Sequence, residues 1–334
     1  VRGDIAIVEQ LKTANAKKWK GFDAPYANLA CVEAATRLPF EEGIKFERAE
    51  FLKLMGGSQS AAQRHMFFAE RQAAKIDGLS KDIPVRDIKK VGVIGAGTMG
   101  GGISMNFLSV GIPVTIVEMK QEALDRGLGN IRKNYASTVS KGRLTQAKMD
   151  ERMALITPAL DVAAAKDADL VIEAIVEKLE VKQKLLQGLE GKLKPDAVLA
   201  TNTSSLQIED IAKPLADPGR LIGIHFFNPP RYMSLVELIP TPATQPEILD
   251  QLESFVTTAV GKSVVRAKDT PNFIANRVGI AGMLATMTEA NKFGLSFDVV
   301  DDLTGKKMGR ASSGTFRTAD VVGLDTMAHV IKTL

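Results

Sequence analysis

The stretch Val91-Gly92-Val93-Ile94-Gly95-Ala96-Gly97-Thr98-Met99-Gly100-Gly101-Gly102 decides how this chain is read. A short apolar run, Val91 to Ile94, leads into glycines spaced Gly95-x-Gly97-x-x-Gly100, and a helix-compatible segment follows from Thr98 to Val110. That order predicts a strand, a tight turn and a helix whose first N–H groups are free for an anion. The glycines permit the turn, close approach of backbone to a pyrophosphate, and close helix packing. Glycine also fills ordinary turns, so the spacing alone does not separate a dinucleotide site from a loop. A second apolar run, Val114 to Val117, ends at Glu118, about 20 residues on, where a carboxylate can take ribose hydroxyls. The same carboxylate repels a 2′-phosphate, so NAD is the expected cofactor; Lys120 nearby works against that preference.

Outward from this unit, apolar strands alternate with polar-faced helices from Lys89 onward. The strands are expected at 91–95, 113–118, 169–175, 197–201 and 221–226, and the helices at 98–110, 121–141, 146–153, 178–192 and 206–215. Such alternation predicts an α/β fold with a Rossmann-type, doubly wound and mostly parallel sheet. The run from Leu170 reads as a strand ending in Glu177. Strand C-termini face the ligand crevice in this architecture, so Ala174, Ile175, Val176 and Glu177, with Thr201 to Ser205, are expected to line it.

The flanks read as helical. Before the sheet, helices are expected over Tyr26–Arg37, over Phe46–Met55, and from Ser58 toward Ile76, with Asp77 to Pro84 as a linker. After Thr270-Pro271, one helix is expected over Asn272–Phe293, a second capped by Ser296, and a last one from Thr318 to Leu334. The expected domains are therefore a helical segment with linker at 1–88, the cofactor domain at 89–268 and an all-helical domain at 269–334. His65 and its neighbouring phenylalanines read as packing residues.

Hydrophobic residues at 45% and charged residues at 25% are ordinary for a globular chain of 334 residues. A formal charge of +4 is too small to argue for nucleic acid. One cysteine, Cys31, excludes an internal disulfide and a cysteine-based zinc site, and no metal is expected. No apolar run approaches the roughly 20 residues that span a bilayer. The start, Val1-Arg2-Gly3-Asp4, has neither an initiator methionine nor a secretory leader, and the chain reads as a piece of something longer.

Of three histidines, His65, His225 and His329, His225 ends a predicted strand in Gly223-Ile-His-Phe-Phe-Asn-Pro-Pro230. Imidazole titrates near neutral pH and can exchange an alcohol proton during hydride transfer. Glu237, twelve residues on, can orient its second ring nitrogen; equally, the two are polar residues of a strand pair. Asn202 and Ser204 lie in a loop after a strand. Ser204 or Ser205 can cap the helix starting near Leu206, with Glu209 supporting it, and a capping serine and a substrate-binding serine can share the loop. Asn276 reads either as a site residue or as an amide tying helix to loop.

Gly95-Ala-Gly-Thr-Met-Gly100, Glu173-Ala-Ile-Val-Glu177, Asn202-Thr-Ser-Ser-Leu206, His225-Phe-Phe-Asn-Pro229 and Asp269-Thr-Pro-Asn-Phe-Ile-Ala-Asn-Arg277 together resemble the L-3-hydroxyacyl-CoA dehydrogenase family in order and spacing, over residues 89 to 334. The resemblance implies reversible oxidation of (S)-3-hydroxyacyl-CoA to 3-ketoacyl-CoA with NAD. It implies His225 as base, Glu237 as its orienting partner, and Ser204 and Asn276 on the substrate oxygens. Gly95, Gly97, Thr98, Met99, Gly100, Glu118, Ile175, Val176, Glu177, Lys182, Asn202, Ser204 and Asn228 would contact NAD or its surroundings.

Residues 1–88 resemble the tail of the enoyl-CoA hydratase/isomerase module of multifunctional β-oxidation enzymes. That module's glutamate pair and oxyanion hole have no match here, so hydratase activity is not expected. Gly309-Arg-Ala-Ser-Ser-Gly-Thr-Phe316 replaces the family's Met-Gly-Pro-Phe turn, and the further helical repeat of multifunctional members has no match. Lys141, Arg143, Arg132 and Lys133 could serve the phosphates of CoA or form a solvated helix face. The expected partner is an acyl-CoA thioester, with self-association or a thiolase-type protein as assembly alternatives. The expected compartment is a bacterial-type cytoplasm, with the peroxisome as alternative. Two rival readings stand beside this one: a related NAD-dependent dehydrogenase of small hydroxy acids, and a non-catalytic NAD-binding fragment.

Overall fold

The computed structural model describes residues 6–73 and 83–332, which fall in two compact units, Val1–Gly78 and Leu79–Leu334. The end of the helix toward Ile76, most of the linker, the side chain of His329 and the last two residues lie outside the described set. No described helix is long and apolar enough to cross a membrane.

The described residues of the first unit form four consecutive helices, α1 (Ala6–Trp19), α2 (Ala24–Arg37), α3 (Phe40–Gly56) and α4 (Ser58–Ala73). Pro25 sits in the first turn of α2, where its missing N–H costs nothing. Among its described residues only Val8 and Ala34 are buried apolar side chains, whereas Phe40, Phe51, Phe67 and Phe68 are exposed. A hollow of about 670 Å³ between α2, α3 and α4 is lined by Asp23, Tyr26, Glu50 and Lys53. None of the motifs read above falls there.

The second unit is built on β1 (Val91–Ile94), α5 (Thr98–Ser109), β2 (Val114–Val117), α6 (Gln121–Ser140), α7 (Gln146–Ala154), β3 (Ile156–Ala159), β4 (Leu170–Glu173), α8 (Leu179–Glu190), β5 (Val198–Thr201), α9 (Ile208–Ala212), β6 (Leu221–Phe226), β7 (Leu235–Ile239), α10 (Pro246–Thr258) and β8 (Ser263–Arg266). Its eight strands run in the order β3-β2-β1-β4-β5-β6-β7-β8, parallel except for the antiparallel pair β6–β7. This is the doubly wound Rossmann-type sheet the sequence predicts. Every residue of β1, β2, β4 and β5 is buried, which is why those strands read as unbroken apolar runs. Strand order reverses between β1 and β4, and the crevice at their C-terminal ends is the ligand position of such sheets.

Three strands lie outside the expected list: β7, read only as the partner in a His225–Glu237 strand pair, and the two edges, β3 and β8. β3 contains Pro158, tolerated because only one side of an edge strand needs partners. β8 is only partly buried and carries Ser263 and Arg266. α10 was missed as well; it begins with Pro246 and buries Ile248, Leu252, Phe255 and Val256 at helical spacing, with Phe255 stacked on Phe107 of α5.

The C-terminal helices are α11 (Ala275–Lys292), α12 (Phe297–Thr304), α13 (Phe316–Val322) and α14 (Leu324–Lys332). The expected helix from Asn272 starts three residues late, because Asn272 and Phe273 take left-handed backbone angles (φ 64° and 50°). Phe273 is thereby buried beneath the sheet and lies 5.6 Å from the His225 ring. Ser296 precedes α12 but makes no side-chain cap. The single last helix expected from Thr318 is broken at Gly323 (φ 99°) into α13 and α14.

Candidate active site

The glycine turn, Glu118, Ala174 to Glu177 and Asn202 to Ser205 gather at the C-terminal edge of the sheet because each segment follows a parallel strand. After β1, Gly95 turns at φ +107°, and a Cβ there would lie 2.5 Å from the Ala174 carbonyl. A Cβ on Gly100 would lie 1.9 Å from the Gly95 carbonyl, so these two glycines are demanded by the protein's own backbone. Gly97 differs: a Cβ there meets nothing within 4 Å. Gly97 begins α5 without a side-chain cap, so exposed Gly97 and Thr98 leave an open anion cradle at the helix N-terminus. This fits a pyrophosphate. Met99, one residue further, is half-buried against the core.

Glu118 ends β2, its Oε2 accepting the Ala96 N–H at 3.2 Å and its Oε1 the Met119 N–H at 2.8 Å. It thus stands against the glycine turn.

β4 ends at Glu173, not at Glu177 as the apolar run suggests; Ala174 to Glu177 leave the sheet as a loop. Ile175 packs against the core and Val176 is exposed at the crevice. Beneath them Glu173 is wholly buried and accepts from Lys182 Nζ at 2.6 Å, Thr201 Oγ1 at 2.6 Å and Ile175 N–H at 2.7 Å. Lys182, 1% exposed, also lies 3.2 Å from Glu177. Its ammonium is thus committed to two carboxylates, and its side chain reaches the crevice only through Glu177. Glu177 Oε1 in turn accepts from Thr203 Oγ1 at 2.6 Å and from the N–H groups of Ser204 and Ser205 at 2.8 and 3.1 Å. Burial pushes the Glu177 carboxyl up, but Lys182 and these donors outweigh it and hold it below the usual carboxylate range. Thr201 and Thr203, expected to line the crevice, instead bond Glu173 and Glu177, and Glu173, to which the sequence assigns no role, is the glutamate that closes an apolar strand.

The loop after β5 is therefore shaped by Glu177. Asn202 Oδ1 accepts the Phe226 N–H at 2.9 Å, tying the loop to the end of β6. Neither Ser204 nor Ser205 caps the next helix. α9 starts at Ile208, later than expected, and Asp269 caps it by accepting the N–H groups of Ile208 and Glu209 at 2.8 and 2.7 Å. Burial lifts the Asp269 carboxyl above its ordinary value despite these two amides. A remote carboxylate performs the capping that local sequence assigned to serine.

His225 and Glu237 face each other in register across β6 and β7. Nδ1 lies 2.8 Å from Glu237 Oε2, with His225 4% and Glu237 1% exposed. Glu237 Oε1 accepts the N–H groups of Ile274 and Ala275 at 3.1 and 2.8 Å. In the tautomer that carries its proton on Nδ1, the ring donates to Glu237 Oε2 and Nε2 keeps its lone pair. Asn276, the next residue of α11, donates from Nδ2 to the Ser204 carbonyl at 3.2 Å. The left-handed turn at 272–273 thus places Asn276 beside Ser204 and the first amides of α11 on Glu237.

Beyond β6, a turn from Asn228 to Met233 contains a cis Asn228–Pro229 bond. It borders a cavity of about 480 Å³ lined by Thr98, Lys133, Asn134, Asn228, Arg231 and Tyr232, among others. Of the four cations read as phosphate candidates, Lys133 lines this cavity and Arg132 a separate hollow with Leu128 and Met153, while Lys141 and Arg143 are exposed beyond α6.

Residues 90–270 match the family model described as 3-hydroxyacyl-CoA dehydrogenase, NAD binding domain. The chain belongs to the 3-hydroxyacyl-CoA dehydrogenase family. Among its relatives, a protein of Bacillus subtilis named "probable 3-hydroxyacyl-CoA dehydrogenase" is 38% identical over 265 residues, covering 74% of this chain and 34% of that protein. A fatty acid oxidation complex subunit alpha of Psychrobacter cryohalolentis is 34% identical over 310 residues, covering 93% and 42%. The chain thus spans less than half the length of either relative. The crystal structure of FadB2 from M. tuberculosis superposes with a TM-score of 0.71 at 34% identity, covering 74% of this chain and 87% of that one.

Proposed function

We propose that this chain carries the NAD-dependent interconversion of (S)-3-hydroxyacyl-CoA and 3-ketoacyl-CoA, with His225 as general base. The observation that carries the reading is the buried pair His225–Glu237, whose carboxylate is itself held by the amides of Ile274 and Ala275. Nε2 of His225 takes the hydroxyl proton, and Glu237 steadies the resulting imidazolium. NAD, when bound, supplies the hydride acceptor. Gly95, Gly97, Thr98, Met99 and Gly100 cradle its pyrophosphate, Glu118 takes ribose hydroxyls, and Ile175, Val176, Glu177, Lys182, Asn202 and Asn228 shape the crevice around it. Ser204 and Asn276 hold the substrate oxygen on which negative charge develops.

The CoA phosphates of the thioester are assigned to the Lys133 and Arg231 end of the cavity beside α5 and α6, whose Gly97–Thr98 end takes the NAD pyrophosphate. The bacterial relatives support a cytoplasmic setting; the alpha-subunit relative is named as part of a complex, and we take the partner of this chain to be a further copy or a thiolase-type protein. Replacing His225 with Gln tests the base. Acetoacetyl-CoA reduction by NADH is expected to fall at least about a hundredfold, and survival within about tenfold would show that the base is another group.

A further inference from the structure

Lys262 is a buried ammonium outside every motif read from the sequence. α10 ends as Gly261 turns to φ +74°, and the Lys262 N–H bonds the Val256 carbonyl at 3.1 Å, closing that helix. The side chain, on a residue only 7% exposed, then runs to the Asn228–Met233 turn. Nζ donates to the Pro230 carbonyl at 2.7 Å and to the Met233 carbonyl at 2.8 Å. Among the described residues no carboxylate lies within ion-pairing distance of it. Burial lowers its pKa from the ordinary lysine value, as expected where only neutral carbonyls face the charge.

The turn it grips cannot hold itself. Pro229 and Pro230 supply no N–H, and the turn's own bonds run only from Tyr232 and Met233 back to the Pro229 carbonyl. Its remaining fastenings come from outside. Asn106 of α5 donates weakly to the Pro230 carbonyl at 3.4 Å, and a Cβ on Gly102 would lie 2.9 Å from the Pro230 ring, so α5 and the turn are already in closest contact. Arg231 donates to the Asn134 carbonyl at 3.1 Å and to Thr138 Oγ1 at 2.5 Å on α6. Asn228, Arg231 and Tyr232 line the cavity, so what fixes the turn also fixes one wall of it.

We infer that Lys262 is a positioning residue that pins the Asn228–Met233 turn through the carbonyls of Pro230 and Met233, and so holds the cavity wall in the shape that receives the substrate thioester. The second half rests on the assignment of acyl-CoA to this cavity; the first half does not. A charged donor suits the task because one ammonium satisfies two buried carbonyls that apolar replacement would leave unpaired.

The test is Lys262→Met in the full chain, with two readouts. Amide hydrogen exchange at residues 231–234 is expected to accelerate by about tenfold, the value of one lost charge-assisted hydrogen bond. KM for acetoacetyl-CoA is expected to rise by a similar factor and by more than KM for NADH, while kcat stays within about twofold. Lys262→Arg is expected to restore both. Should Lys262→Met not fold, Asn106→Leu, which removes the other donor to Pro230, is expected to move both readouts in the same direction by less. Unchanged exchange in the turn overturns the inference, and so does a joint loss of kcat and both KM values that Arg does not recover. If the wild-type chain does not turn over acetoacetyl-CoA, the acyl-CoA reading fails on its own, and the exchange result still decides whether Lys262 pins the turn.

Discussion

Glu237 Oε1 lies 2.8 Å from the N–H of Ala275, while its Oε2 holds Nδ1 of His225, so one carboxylate joins the imidazole to the first turn of α11. Glu237→Gln keeps the shape but must present an NH₂ group to either the backbone amides or the ring. We expect kcat to fall by about 10²- to 10⁴-fold with a smaller change in KM, and thermal unfolding to move down by the equivalent of about 1–3 kcal/mol. Steady-state kinetics with a melting curve check both.

Lys182 sits between Glu173 and Glu177 with almost no solvent contact. Lys182→Met leaves Glu173 as a buried carboxylate without its cation, which costs about 3–5 kcal/mol. Urea unfolding should show the loss. Adding Glu173→Gln to Lys182→Met should recover part of it, since the uncompensated charge is then gone.

The low-lying Glu177 carboxyl makes the loop at 203–205 sensitive to acid. A carboxyl depressed in the folded state contributes stability above its unfolded pKa, near about 4.3, and that contribution disappears as pH falls through the folded value. The raised Asp269 carboxyl acts with the opposite sign, its folded form binding protons more tightly. Melting temperature of the wild type should therefore drop more steeply below about pH 4.3 than that of Glu177→Gln. Equal slopes would show that Glu177 is not the group responsible.

Two of the loop glycines, Gly97 and Gly100, should separate by their surroundings. Gly97→Ala meets no protein atom, so stability without ligand should change by about 1 kcal/mol or less, while NADH affinity falls as the methyl occupies the cradle. Gly100→Ala collides with the Gly95 carbonyl and should lose stability first, by more than about 3 kcal/mol. Calorimetry of NADH binding beside ligand-free melting distinguishes the two.

Much of this molecule follows from local sequence. The central strands, wholly buried, had to be apolar runs, and Gly95-x-Gly97-x-x-Gly100 with Glu118 announced a Rossmann-type NAD domain because a tight turn and an acid at the next strand end are themselves local requirements. Other features exist only through long-range contact. The edge strands β3 and β8 carry no apolar run because half of each faces solvent. Asp269 caps a helix some 60 residues before it, and the left-handed turn at Asn272–Phe273 is held by burial that no local pattern records. Glu173 and Lys182 became a buried ion pair, and Lys262 a fastening for a proline-rich turn, only when the sheet brought distant carbonyls and carboxylates around them. A charge in the sequence has no environment, and its partners are decided by the fold.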